Sequence, residues 1–182
     1  MRTRHGVAAC AGFTLLEVLV ALLVVVLGVA GATGVQAMAV RAAGEAARLS
    51  DGMQLAASLA QRMRANPVAM ALPDAANPYL QFDQEPGAAP ESASPCFGAA
   101  NCSPEQLARF DVYETGAALA QRFPGGRIRV CRDGQDPGAS GLLAWSCTGG
   151  LDAPVTIKLG WRGRPGEADA PAVFLTLGAG AP

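Results

Sequence analysis

Residues 13–35, from Phe13 to Val35, read FTLLEVLVALLVVVLGVAGATGV and contain one charged side chain, Glu17. A helix of about 23 residues, rising ~1.5 Å per residue, is long enough to cross a ~30 Å hydrocarbon layer. The preceding segment carries Arg2, Arg4 and His5 and no acid. Positive charge on that flank holds it on the cytoplasmic side and sends the C-terminal part outward. An ordinary secretory signal has a shorter apolar run, no internal acid and a small-residue cleavage site, which Ala30–Ala32 only imitate. Val7-Ala8-Ala9-Cys10 looks like a lipidation box, but the apolar run follows Cys10 where it would have to precede it. A plain single-pass anchor is the simplest alternative. A carboxylate inside such a helix costs a few kcal/mol, so Glu17 requires a partner or a role.

The residues around that acid are more specific. Gly12-Phe13-Thr14-Leu15-Leu16-Glu17, behind a short basic leader and ahead of an unbroken apolar run, resembles the class III signal of type IV pilins and type II secretion pseudopilins. The resemblance implies cleavage by prepilin peptidase between Gly12 and Phe13, N-methylation of Phe13, and an assembly role for Glu17. Cleavage would expose a positive α-amino group on Phe13 one helical turn before Glu17. That amine can neutralise the carboxylate within the chain or from a neighbouring subunit. Gly28, Gly31 and Gly34 interrupt the helix at a spacing of three, each costing up to ~1 kcal/mol relative to alanine. Close helix contact and melting on assembly both fit that pattern.

Helical periodicity continues beyond the apolar run. Val35, Ala39, Ala42, Ala46, Leu49, Met53, Ala56, Ala60 and Met63 form a narrow stripe, flanked by Leu55 and Leu59, with charged and polar residues on the other faces. Asn66-Pro67 should end the helix. Residues 67–103, rich in Pro, Ala and Ser, read as an irregular wrapping loop. Ser103-Pro104-Glu105-Gln106 is a capping-box start for a helix running to about Arg122, before Phe123-Pro124-Gly125-Gly126. Period-two patterns then mark strands around Ile128 and Val130, from Val155 to Trp161, and at Val173, Leu175 and Leu177, with a further strand expected at Leu142–Ser146. The fold class is α+β: a long N-terminal helix, first transmembrane and then amphipathic, packed on a small antiparallel sheet with one extra helix.

Of the five cysteines, Cys10 departs with the leader, so the mature chain keeps Cys96, Cys102, Cys131 and Cys147. In an exported domain these read as two disulfides, and of three possible connectivities the local one is expected, Cys96–Cys102 with Cys131–Cys147. No histidine other than His5 exists, so no Ser-His or Cys-His pair forms in the mature chain, and no metal or cofactor site is expected. Asp133, Asp136, Asp152, Glu167 and Asp169 fall in Gly/Pro-rich loops and read as solvated turn acids. Trp145, Trp161, Phe110 and Phe123 read as core. The net charge of −1 gives no basic excess for nucleic acid. A non-enzymatic assembly protein is expected.

Within the superfamily, Arg62-Met63-Arg64-Ala65-Asn66-Pro67, the cysteine-led Cys102–Asp111 segment, Phe123-Pro124-Gly125-Gly126 and the strand Val155–Trp161 resemble, in order, the PilV-type minor pilins, or type IV pilus modification proteins. Thr115-Gly116 departs from the Trp-bearing helix expected there. The resemblance implies a cleaved leader at 1–12, a transmembrane and assembly helix at 13–35, its amphipathic continuation at 36–66, and a periplasmic head at 67–182. It implies a minor pilin that primes assembly or sits in a tip complex, affecting twitching motility and adhesion. Its partners would be other minor pilins, the major pilin, prepilin peptidase, the inner-membrane assembly platform and membrane lipid. A minor pseudopilin of type II secretion shares the leader and helix. A membrane-anchored periplasmic binding or enzyme domain is the alternative of another class.

Overall fold

A computed structural model of the chain describes residues 12, 14–98, 100–134, 144–162 and 170–178. The chain divides into two compact units, Met1–Ala46 and Ala47–Pro182. One helix, α1 (Leu15–Ala65), contributes to both. At its start the Glu17 amide donates to the Thr14 side-chain oxygen at 3.3 Å and to the Thr14 carbonyl at 3.1 Å, satisfying an otherwise orphan N–H.

Every described residue of the first unit is exposed, and α1 there is long and apolar enough to cross a membrane. The helix runs unbroken through Gly28, Gly31 and Gly34, and a Cβ on any of them would meet nothing within 4 Å.

In the second unit, α1 buries Gly52, Leu55, Ala56, Leu59, Ala60 and Met63. These recur at steps of three, one, three, one and three, a face at helical period. Only the last part of the expected stripe is therefore a burying face. Val35, Ala39, Ala42, Ala46, Leu49 and Met53 are exposed, and Leu55 and Leu59, expected on the flank, lie in the core. Gly52 is needed there, because a Cβ would sit 2.8 Å from the Trp161 ring.

Asn66 and Pro67 end α1 and start a four-residue helix, α2 (Pro67–Met70), with the Asn66 side chain accepting from the Ala69 amide at 3.3 Å. The expected irregular loop therefore holds a short helix, and it also holds a strand, β1 (Asp83–Gln84). Helix α3 (Pro104–Arg122) has a complete capping box: the Gln106 amide donates to the Ser103 hydroxyl at 3.2 Å, and the Ser103 amide donates to Gln106 Oε1 at 2.8 Å. The helix continues through Thr115 and Gly116. Gly116 is where the Gln84 amide packs, and a Cβ there would collide with Gln84 Oε1. Gly125, at φ +70°, supplies the left-handed turn after α3.

Strands β2 (Arg127–Arg132), β3 (Val155–Gly160) and β4 (Val173–Thr176) join β1 in a four-stranded antiparallel sheet of order β1-β2-β3-β4. Ile128, Val130, Ile157, Leu159 and Val173 meet the α1 stripe, Leu119 and Phe123 in one core. Phe110 and Phe123 are buried, whereas Trp145 and Trp161 are half-buried. Of the expected strand at Leu142–Ser146, residues 142–143 lie outside the described residues and Ala144–Ser146 form no strand.

The α1 stripe carries the core, so Leu59→Ala should cost about 2–5 kcal/mol, the range for a truncated core leucine. Leu49→Ala, at a residue 45% exposed, should stay within about 0.5 kcal/mol. Denaturant unfolding of both variants checks this, and equal losses would contradict the assignment of the stripe.

Candidate functional site

Gly12 and Glu17 lie at the start of α1, and Phe13 lies outside the described residues. Glu17 is exposed in the first turn, and its carboxylate has no hydrogen bond or ion pair among the described residues. It stands at the head of a run that includes Leu15, Leu16, Val18, Leu19 and Val20, all exposed. An acid so placed in an apolar surface is available to a cation supplied by the chain's own N-terminus or by a neighbour.

In the head, Arg62, Asn66, Tyr79, Asp111 and Glu114 form a polar node joining α1 to α3. Arg62 Nη1 donates to Asp111 Oδ1 at 2.8 Å and to Glu114 Oε2 at 2.5 Å. The Tyr79 hydroxyl donates to Asp111 Oδ2 at 2.6 Å, and Asn66 Nδ2 donates to the Pro104 carbonyl at 2.7 Å. Tyr79 is fully buried. Burial first, and the hydrogen bond to Asp111 second, push its phenol well above the ordinary tyrosine range. For Arg62, burial works against the charge, but the hydrogen bonds to Asp111 and Glu114 more than offset it, and its pKa lies above the ordinary arginine value.

A second polar centre lies across the sheet. Asp133 and Lys158 pair directly, with both side chains 1% exposed. Asp133 is thus no solvated turn acid. Asp152 is exposed, while Asp136, Glu167 and Asp169 lie outside the described residues. All six residues of β3 are buried, although its alternation predicts one wet face. Segment 144–149 lies over Lys158 and Gly160, and Ala170 and Pro171 also approach Gly160. Lys158 Nζ donates to the carbonyls of Ala144 at 2.9 Å and Ser146 at 2.6 Å, and a Cβ on Gly160 would lie 2.9 Å from the Trp145 ring. The signal that could have exposed this is compositional: Lys158 is the one lysine among fourteen basic residues.

Disulfides join Cys96 to Cys102 and Cys131 to Cys147, across sequence separations of 6 and 16 residues. Among the described residues, no group of three or more His, Cys, Asp or Glu side chains could hold a metal ion. A cavity of about 520 Å³ lies between β1 and α3, with Ala75, Phe82, Gln84, Pro90 and Val112 in its wall.

Residues 8–33 match the prokaryotic N-terminal methylation motif, and residues 34–113 match the Tt1218-like family, type IV pilin Tt1218. The two matches adjoin and run from ahead of α1 into α3. Comparison with curated proteins and with solved structures finds no match. The chain is a type IV pilin-like protein. It is accordingly a pilin of the kind processed by prepilin peptidase, and its family is a structural one.

The Tyr79 node makes stability depend on alkaline pH. The phenol of Tyr79 stays protonated in the folded head while an unfolded tyrosine ionises near pH 10, so its contribution is complete below about pH 10 and is lost as pH rises further. Tyr79→Phe should cost roughly 1.5–3 kcal/mol near neutrality, the worth of a hydrogen bond to a charged group, and should flatten the fall above about pH 10. Denaturant unfolding between about pH 8 and 12 measures both, and an unchanged alkaline slope in the variant would contradict the assignment.

Proposed function

We propose that this chain is a minor pilin of the type IV pilus, cut between Gly12 and Phe13, N-methylated on Phe13, and active in the complex that primes assembly or forms the tip. Twitching motility and adhesion would depend on it through that complex. The observation that carries the reading is the pair of adjoining matches, a methylation motif at residues 8–33 followed by a type IV pilin family at 34–113. A minor pseudopilin of type II secretion would share Gly12, Phe13 and Glu17, and the pilin-family match over 34–113 favours the pilus.

In this reading residues 1–12 are the leader, 13–35 the membrane and assembly helix, 36–66 its continuation and 67–182 the periplasmic head. The uncut protein spans the inner membrane with its N-terminus in the cytoplasm, as the basic flank requires. Prepilin peptidase acts at Gly12, and the assembly platform then brings the chain into contact with the major pilin and other minor pilins. When helices pack, the Glu17 carboxylate takes the α-amino group of Phe13, its own or a neighbour's, as counter-charge. A carboxylate paired in this way avoids the cost of isolated charge in an apolar setting.

Glu17→Leu separates assembly from the earlier steps. The substitution removes a group that is costly in lipid, so membrane level should match or slightly exceed wild type, and cleavage after Gly12 should continue. Incorporation into sheared pili should fall severely. Wild-type protein missing from sheared pili would overturn the pilus reading. A Glu17→Leu protein that is cut and incorporated like wild type would overturn the role given to Glu17 alone.

A further inference from the structure

Segment 144–149 covers one face of β3, yet none of its residues belongs to the apolar core. It is held instead by discrete tethers. Besides the two hydrogen bonds from Lys158 Nζ to Ala144 and Ser146, Arg129 Nη1 donates to the Trp145 carbonyl at 3.4 Å, and the Arg127 guanidinium lies 4.6 Å from the Trp145 ring centre. The Thr148 amide and hydroxyl donate to Asp133 Oδ1 at 3.3 and 3.1 Å, and Cys147 is bonded to Cys131 on β2. Around it, Arg127 Nε, Trp145 Nε1 and Thr156 Oγ1 are buried without a hydrogen-bond partner among the described residues. A cover that is polar and incompletely satisfied contributes little apolar burial, so its closure rests on the tethers.

Lys158 lies at the centre of this arrangement. Its ammonium meets two carbonyls and the Asp133 carboxylate, three acceptors for three donors in a compact site that the planar fork of arginine would not match. The opposite face of β3 carries Ile157 and Leu159 into the α1 core, to which no residue of the cover belongs.

We propose that segment 144–149 is a disulfide-latched strap, which opens and exposes Lys158 when Cys131–Cys147 is reduced while the core between α1 and the sheet stays folded. Opening consumes two electrons and two protons from an external dithiol, which becomes a disulfide as Cys131 and Cys147 become thiols. Closing is the reverse exchange against a disulfide oxidant. Both cysteines are half-buried and within reach of such a reagent. The inference concerns the head alone and stands apart from whether the chain enters a pilus.

Lys158 is the only lysine in the chain, so it reports on the strap by itself. Full-length protein in detergent is treated with an amine-reactive N-hydroxysuccinimide ester, with and without dithiothreitol, and acylation of the Lys158 peptide is read by mass spectrometry. Acylation should be low in the oxidised protein and rise by roughly tenfold or more on reduction, with hydrogen-exchange protection retained at Leu59, Ile157 and Leu159. Cys147→Ser should behave like the reduced protein, and Cys96→Ser/Cys102→Ser like the oxidised one. If Cys147→Ser fails to fold, reduction of folded wild type carries the test. Equal acylation in both redox states, or loss of core protection together with acylation, would overturn the strap.

Discussion

The head is organised by one constraint: a six-residue stripe of α1, from Gly52 to Met63, must be covered. Leu55, Leu59 and Met63 supply the bulk, Ala56 and Ala60 allow close approach, and Gly52 admits the Trp161 ring. The alternate residues of β2 and β3, with Val173 of β4, answer that stripe from the sheet side. Upstream, every described residue of the same helix from Leu15 to Asp51 is exposed. Among the described residues, fifteen large apolar side chains between Leu15 and Val40 are exposed. At about 1.5–3 kcal/mol each, leaving them in water is untenable, so lipid or neighbouring helices must surround them.

The end of α1 shows why a short sequence junction carries structural weight. Arg62 and Asn66, one turn apart, reach different parts of the head: Arg62 engages Asp111 and Glu114 on α3, while Asn66 starts α2 and bonds the Pro104 carbonyl at the start of α3. Tyr79 closes the node from the intervening loop. The pilin-family match at residues 34–113 contains every member of this node except Glu114.

Much of this was legible in the sequence where local rules decide. The apolar run, the proline stop at Asn66-Pro67, the capping box at Ser103 and the alternation around Ile128, Ile157 and Leu175 each depend on neighbours a few residues away. What escaped notice depends on distant chain. β1 is two residues long, and its pairing with Arg129 and Ile128 leaves no side-chain pattern to read. Lys158 and Gly160 are covered by segment 144–149, which is distant in sequence, so alternation alone leaves that face to water. Asp133 looked like a turn acid for the same reason. The stripe reads longer in the sequence than it is in the fold, because alanine spacing upstream of Gly52 repeats the same period on residues that stay exposed. At the N-terminus the candidate site was legible as a motif, since Gly12, Phe13 and Glu17 derive their meaning from order and spacing.

The claim on which all of this turns is that the chain is a processed pilin carrying an exported, disulfide-bonded head. Intact mass spectrometry of the protein extracted from membranes, without reduction, tests it in one measurement. The expected mass is that of residues 13–182 plus one methyl group, less two hydrogens for each of the two disulfides. A mass corresponding to residues 1–182, unmethylated and with its cysteines reduced, would contradict it.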